Sequence, residues 1–214
     1  MTPDLFEAQA PTLQEFLPGA FLLKGWMTEP ADVLLAQVQS IYDASPPRHM
    51  TTPGGFRMSV AMSNCGEHGW VSDRSGYRYD RLDPESRRPW PALPVSWRQL
   101  ARAAAGQCGF AGFEPDACLV NRYEPGARMS LHQDRNERDF SQPIVSVSLG
   151  LPATFVFGGA RRADRVLRLP LQHGDVVVWG GPARLRFHGV LPLPAGRHAV
   201  FGAQRINLTF RRVL

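Results

Sequence analysis

Cysteine is scarce in this chain, and the little there is does not pair. Cys65, Cys108 and Cys118 are the only three. They form no CxxC, and an odd count leaves no complete disulfide framework. That argues against a disulfide-stapled secreted scaffold and suits a reducing compartment. Long apolar runs are missing as well, so no segment reaches the roughly 20 residues a membrane helix needs. No early basic stretch leads into an apolar segment, since Lys24 is the first cation. An export signal is therefore not expected. The expectation is a cytoplasmic protein without a membrane partner. Internal repeats and low-complexity tracts are also lacking.

What is present fits one globular unit. The 214 residues and 23.8 kDa are enough for a single domain with a sizeable core. Gly at 20 and Pro at 19 favour turns and short strands over long helices. The net charge of +5 is compatible with a polyanionic partner but does not by itself select one.

Two helices are expected ahead of a β-rich region. Thr28 is placed to cap the first, with Pro30 in its first turn and Val33, Leu34, Val38 and Ile41 at helical spacing. Ser45-Pro46-Pro47 should end it. The second runs from about Ser96 to Cys108, with Trp97, Leu100, Ala101 and Ala104 on one face, and Gly109 stops it. Residues 1–18 read as a loose lead-in, 56–62 as a strand, and 65–91 as long loops. From 117 onward, short strands are expected at 117–123, 130–134, 143–149, 153–157, 166–171, 175–179, 185–190 and 205–211. Eight such strands after a mixed α/β stretch suggest a β-sandwich or jelly roll buttressed by helices.

The chemistry concentrates in that second half. His132-Gln133-Asp134 with a distant His188 has the form of a facial triad. Two imidazoles and one carboxylate occupy one face of an octahedral iron(II) and leave the other open. Alternation in a strand would turn His132 and Asp134 the same way. An isolated His-x-Asp is more often a surface pair, so the spacing needs companions. They lie in Arg205-Ile206-Asn207-Leu208-Thr209-Phe210-Arg211, where apolar and polar residues alternate strictly. A polar face in water is the plain reading. If that face is buried instead, an arginine on it demands an anion, because an uncompensated buried charge costs several kcal/mol. A dicarboxylate would match the guanidinium fork. Asn121 and Tyr123 share a strand face and could orient such an anion, or could be a simple strand edge. A zinc hydrolase would leave the arginine strand without purpose.

Together, Asn121-x-Tyr123, His132-x-Asp134, His188 and Arg205-x-Asn207-x-x-x-Arg211 resemble the AlkB family of iron(II)/2-oxoglutarate dioxygenases. Thr52-Pro53-Gly54-Gly55, Met58–Met62, Pro115–Cys118, Ile144–Leu151 and His173–Gly181 are similar to its bacterial DNA-repair members, so the likeness covers nearly the whole chain. The resemblance implies a mainly β fold with flanking helices, in one dioxygenase domain over 1–214. It implies a double-stranded β-helix (jelly-roll) core over 117–214 and an N-terminal α/β nucleotide-recognition extension over 1–116.

By the same resemblance, His132, Asp134 and His188 hold Fe(II), with 2-oxoglutarate and O₂ as co-substrates. Arg205, Asn121 and Tyr123 take the distal carboxylate of 2-oxoglutarate. Arg211 takes the carboxylate nearer the metal, and Asn207 belongs to the same shell. The implied reaction is oxidative demethylation of N-alkylated bases in DNA, with release of formaldehyde. The partner is alkylated DNA in single-stranded form, with RNA as a further candidate, and the protein is expected to act as a monomer. Trp70 would stack on the damaged base opposite the His132 ring. Tyr77, Arg78 and Tyr79 would hold the nucleotide backbone, Thr52, Met58 and Met62 would line the approach, and Arg162 would contact substrate. Asn136 would sit beside the lesion. There the family pattern has an acidic residue that can accept from the lesion's exocyclic amine. The uncharged amide predicts weaker preference for cationic lesions relative to neutral ones such as methylated guanine or thymine. Two alternatives stay open: a hydroxylase of protein or small molecules, and a non-catalytic nucleic-acid-binding jelly roll.

Overall fold

The strand at 205–211 has both faces covered, and that one fact organises the molecule. A computed structural model describes residues 12–214. In chain order the described elements are β1 (Thr12–Leu17), β2 (Ala20–Lys24), α1 (Ala31–Ala44), β3 (Ala61–Gly66), β4 (Gly69–Asp73), β5 (Gly76–Asp80), α2 (Val95–Gln107), β6 (Ala117–Tyr123), β7 (Met129–His132), β8 (Ile144–Gly150), β9 (Ala153–Phe157), β10 (Leu167–Leu171), β11 (Val176–Trp179), β12 (His188–Val190) and β13 (Arg205–Arg211), with a 3₁₀ turn at Gly181–Ala183.

A seven-stranded sheet runs in the order β1-β2-β11-β8-β13-β6-β3. A four-stranded sheet runs β10-β9-β12-β7, and β4-β5 form a separate hairpin. All pairings are antiparallel. From β6 to β13 the chain crosses repeatedly between the two sheets, which makes a jelly roll. Strands β2 and β3 extend the large sheet on its two sides, so residues ahead of 117 share its hydrogen bonding.

Period-two alternation gives the large sheet two unlike faces. Ile206, Leu208 and Phe210 point to one, where they pack with Leu34, Val38 and Ile41 of α1 and Trp97, Ala101 and Ala104 of α2. Trp97 meets Phe210 edge-on at 6.5 Å between ring centroids. Arg205, Asn207, Thr209 and Arg211 point to the other face, between the sheets, and all four are buried. A second core lies there, including Tyr123, Phe155, Phe157 and Trp179.

Several sequence expectations are corrected. Residues 12–17 form β1, while 1–11 lie outside the described residues. Helix α1 begins at Ala31 with Pro30 as its N-cap and no side-chain cap, so Thr28 does not cap it. Val33 is exposed, since it lies off the stripe formed by Leu34, Val38 and Ile41. The strand expected at 56–62 starts only at Ala61 and runs to Gly66. The stretch 65–91 is not all loop: Trp70 pairs with Tyr79 and Ser72 with Tyr77 across the β4-β5 hairpin. The strand at 130–134 ends at His132, leaving Asp134 beyond the sheet. By contrast, β6, β9 and β13 match their expected bounds, and Gly109 closes α2 with φ +84°.

Trp97→Ala should cost about 3–5 kcal/mol of stability by cavity formation, read as a lower urea midpoint. Because Trp97 packs on the face away from the polar residues of β13, the folded variant should keep wild-type ligand affinity. A weaker affinity at unchanged stability would contradict this division of the sheet.

Candidate active site

Strand pairing brings the first two candidate ligands together. His132 is the last residue of β7 and pairs directly with His188, the first of β12. Their rings lie 4.4 Å apart. His132 Nδ1–H donates to the Ser130 carbonyl at 2.9 Å, and His188 Nδ1–H to the Arg186 carbonyl at 3.0 Å. A carbonyl can only accept, so the proton is on Nδ1 in both rings and each Nε2 lone pair is free. Both Nε2 atoms face Asp134: His132 at 3.7 Å from Oδ1 and His188 at 3.7 Å from Oδ2. The three ligating atoms lie within 4.8 Å of one another. Burial, reinforced by the His132 ring, pushes the His188 imidazole down to about 3. It is neutral and ready to bind a metal at physiological pH.

Asp134 is positioned by arginines, since no strand holds it. Arg211 donates from Nε (3.0 Å) and Nη2 (2.6 Å) to Asp134 Oδ2. Arg184 Nη1 donates to the Asp134 main-chain carbonyl at 2.8 Å. Burial alone would raise the Asp134 carboxyl, but Arg211 and the two imidazoles outweigh it and hold the group below the usual carboxylate range. Two imidazoles and one ionised carboxylate on one side suit a divalent iron with open positions opposite.

Glu137 completes this assembly and escaped the sequence reading. It is buried, pairs with Arg184 Nη2 at 3.0 Å and approaches Arg211 Nε at 3.5 Å. The Tyr79 hydroxyl donates to it at 2.6 Å. Two carboxylates face two guanidiniums, so the buried charges balance. Arg184 escaped too, because it sits just after the 3₁₀ turn, where no periodicity marks a residue as inward.

Further along β13 the charge balance fails. Arg205 is 1% exposed. Its Nη2 donates to Ser148 Oγ at 3.0 Å, while Nε and Nη1 have no partner. Its guanidinium lies 5.0 Å from the Tyr123 ring centroid. Among the described residues no carboxylate pairs with it. Burial lowers its basicity, and only Tyr123 opposes that shift. Beside it, Asn207 donates to Ser146 Oγ (2.8 Å) and to the Val147 carbonyl (3.0 Å). Asn207 Oδ1 accepts from Asn121 Nδ2 (3.2 Å) and Thr209 Oγ1 (2.9 Å). Asn121 thus directs an N–H to Asn207, and its Oδ1 has no partner. A buried guanidinium with two unpaired nitrogens, on the same strand face as the Arg211 that holds Asp134, fits an anionic co-substrate. The Ser146-x-Ser148 alternation in β8 was a readable signal for this polar face.

The substrate-side residues divide. Trp70, Tyr77 and Tyr79 share one face of the hairpin, with Trp70 and Tyr77 stacked at 5.6 Å. Trp70 Nε1–H donates to Asn136 Oδ1 at 3.1 Å, and Tyr79 reaches Glu137, so this face looks onto the metal ligands' loop. Arg78 is turned to the opposite face by alternation and pairs with Asp73 (2.9 Å) and Asp80 (2.8 Å). The structure does not bring it to the site. Met62 is buried beside Asn121 in register, and Met58 packs on the same core. Thr52 Oγ1 accepts from the Phe56 N–H at 3.1 Å in its turn. Arg162 donates to the Leu131 carbonyl and stacks on Phe187 at 5.0 Å, next to β7.

The 2OG-Fe(II) oxygenase superfamily model matches residues 19–211. The chain is 53% identical over 209 residues to the alpha-ketoglutarate-dependent dioxygenase AlkB of Salmonella typhimurium, covering 98% of this chain and 97% of that one. It is 51% identical to the protein of that name from Escherichia coli K12 over the same shares. The solved structure of OsALKBH1 superposes with a TM-score of 0.82 at 27% identity, covering 94% of this chain and all of that one.

Two outcomes test the electrostatics. Arg205→Met should leave the metal-free protein as stable or more stable, by about 1–4 kcal/mol, in urea titrations. It should also abolish the rise in melting temperature that 2-oxoglutarate with Mn(II) gives the parent. Glu137→Ala strands two buried guanidiniums and should cost about 3–5 kcal/mol. A loss under 1 kcal/mol would show that the network is not compensated as described.

Proposed function

The chain belongs to the AlkB family of the 2OG-Fe(II) oxygenase superfamily, and from that premise we propose that it removes alkyl groups oxidatively from nucleic-acid bases. The observation that carries the reading is the pairing of a His132–Asp134–His188 triad with a buried Arg205 that lacks a carboxylate partner among the described residues. A hydroxylase needs both a metal face and an anchored keto acid, and the buried polar face of β13 carries an arginine for each: Arg211, which holds Asp134, and Arg205.

His132, Asp134 and His188 would hold iron(II) through two Nε2 atoms and a carboxylate oxygen. Iron(II) held there, with 2-oxoglutarate and O₂, would supply the oxidising chemistry that hydroxylates an alkyl carbon and converts the keto acid to succinate and CO₂. Arg205, with Tyr123 and Asn121, would fix the distal carboxylate, and Asn207 would brace that shell. Arg211 would take the carboxylate nearer the metal while keeping Asp134 oriented. Trp70 and the His132 ring would sandwich the extruded base. Tyr77, Tyr79 and Arg162 would grip the flanking nucleotide, and Thr52, Met58 and Met62 would line the approach. The N-hydroxymethyl product then releases formaldehyde and the restored base.

A base must leave its stack to reach the ligands His132, Asp134 and His188, which favours single-stranded DNA as substrate, with RNA also eligible. The three free thiols favour the cytoplasm. A single working copy belongs to the same reading.

Purified protein with iron(II), 2-oxoglutarate and single-stranded oligonucleotides carrying methylated bases should yield formaldehyde and succinate in equal amounts. His132→Ala and Arg205→Met should each lower the rate by at least 100-fold. Succinate formed only with peptides or free metabolites would replace this reading with a hydroxylase of another class. DNA binding with no turnover would indicate a non-catalytic module.

A further inference from the structure

The β4-β5 hairpin has a second face, turned away from Trp70, Tyr77 and Tyr79. Alternation puts Val71, Asp73, Arg78 and Asp80 on it. The loop at 81–90 folds back along this side: Leu82 bridges Pro89, and Trp90 Nε1–H donates to the Asp80 carbonyl at 2.8 Å. Asp83 organises that loop. Its buried carboxylate pairs with Arg48 at 2.6 Å and accepts from the Glu85 N–H at 3.1 Å and the Ser86 hydroxyl at 3.0 Å. Its carbonyl accepts from the Arg87 N–H at 2.8 Å. Between hairpin and loop lies a groove of about 560 Å³, with Arg78, Arg81 and Arg87 among its walls. It shares Asp73 and Pro84 with a second hollow of about 250 Å³ that reaches Arg48.

The carboxylates around this groove are already paired. Asp73 and Asp80 meet Arg78 at 2.9 and 2.8 Å, and Asp83 and Glu85 meet Arg48 at 2.6 and 3.2 Å. Arg74, Arg81, Arg87 and Arg88 are exposed, and none has a carboxylate partner among the described residues. Arg87 is also the one non-glycine among the described residues with a positive φ, +60°. Any Cβ is crowded in that conformation, and Gly or Asn would occupy it at less cost. The backbone gains nothing from an arginine there, so the reason for it lies in the side chain. We propose that the groove binds the phosphodiester backbone of the nucleic-acid strand flanking the target base, with Arg81 and Arg87 as its phosphate contacts. The inference rests on the demethylase reading above and adds a second contact surface to it. Guanidinium forks match phosphate oxygens, and such contacts position a strand without reading its sequence. The hairpin is two strands wide, with about 5 Å between them. A strand whose target base lies against Trp70 therefore reaches the opposite face within a few nucleotides.

The test measures binding of unmodified single-stranded DNA, a trinucleotide and a dodecamer, to protein loaded with Mn(II) and 2-oxoglutarate. Fluorescence anisotropy across a salt series gives the affinities. The double variant Arg81→Gln, Arg87→Asn removes both contacts and gives the left-handed position to a residue that accepts it, so its urea midpoint should stay level or rise. It should bind the trinucleotide as the wild type does, bind the dodecamer roughly fivefold or more weakly, and lose about 0.7 per arginine from the slope of log affinity against log salt. In a second arm, uncharged methylphosphonate linkages replace the phosphates on either flank of the dodecamer. On one flank they should weaken wild-type binding by a similar factor and leave the double variant unmoved. A double variant with the wild-type dodecamer affinity and salt slope overturns the groove, as does a wild type indifferent to methylphosphonates on both flanks. Formaldehyde release from a methylated trinucleotide checks the demethylase reading separately. None from the wild type ends that reading, whereas normal release with no change in the dodecamer arms ends only the groove.

Discussion

Arg211 gripping Asp134 is the contact on which the rest of the site depends. Its two short hydrogen bonds to one carboxylate oxygen join the last strand of the large sheet to a loop that has already left the small sheet. Without that grip, Asp134 would be a buried carboxylate on an irregular segment, and burial would favour its neutral form. With it, the group stays ionised, its second oxygen faces His132, and the ligand set closes. Loops rarely hold a ligand tightly. Here a strand does so from the side, because a guanidinium fork fixes direction as well as distance.

The inner face of β13 therefore carries two arginines in opposite electrostatic situations. Arg211 sits among Asp134, Glu137 and Tyr79, which raise its basicity against the pull of burial. Arg205, six residues earlier on the same face, has only a serine hydroxyl and an aromatic ring. A fold gains nothing from the second arrangement taken alone, since removing a charge from water without a partner costs several kcal/mol. The asymmetry leaves one guanidinium bound to Asp134 and the other, among the described residues, without a carboxylate. The strain is tolerated because the opposite face of the same strand is packed by Ile206, Leu208 and Phe210 against both helices.

That asymmetry explains which parts were legible in the chain. Residues 205–211 showed their two faces directly, because strand alternation survives even when both faces are buried. The strands from 117 onward were legible for the same reason, each bounded by Gly, Pro or Asp. The β4-β5 hairpin was not, because its two five-residue strands mix Trp, Val, Ser, Tyr and Arg without a clear apolar alternation. Alternation still held there in a form that could have been used: it sets Arg78 opposite Tyr77 and Tyr79. Glu137 and Arg184 were hidden for another reason. Their partners lie far away in sequence, and a buried ion network has no period to betray it.

The hairpin's link to the metal is what makes its placement matter. Tyr79 ends on Glu137, which approaches the same Arg211 nitrogen that binds Asp134. Trp70 ends on Asn136, the residue just before Glu137. Two neighbouring loop residues thus receive two neighbouring hairpin aromatics, one contact part-buried and one exposed. The contact to Glu137 ties the hairpin to the metal ligands' loop, because breaking it would leave a buried carboxylate short of a donor. The exposed contact can then vary in chemistry without disturbing the metal face. The two contacts, to Asn136 and to Glu137, are separated by a single residue step along the loop.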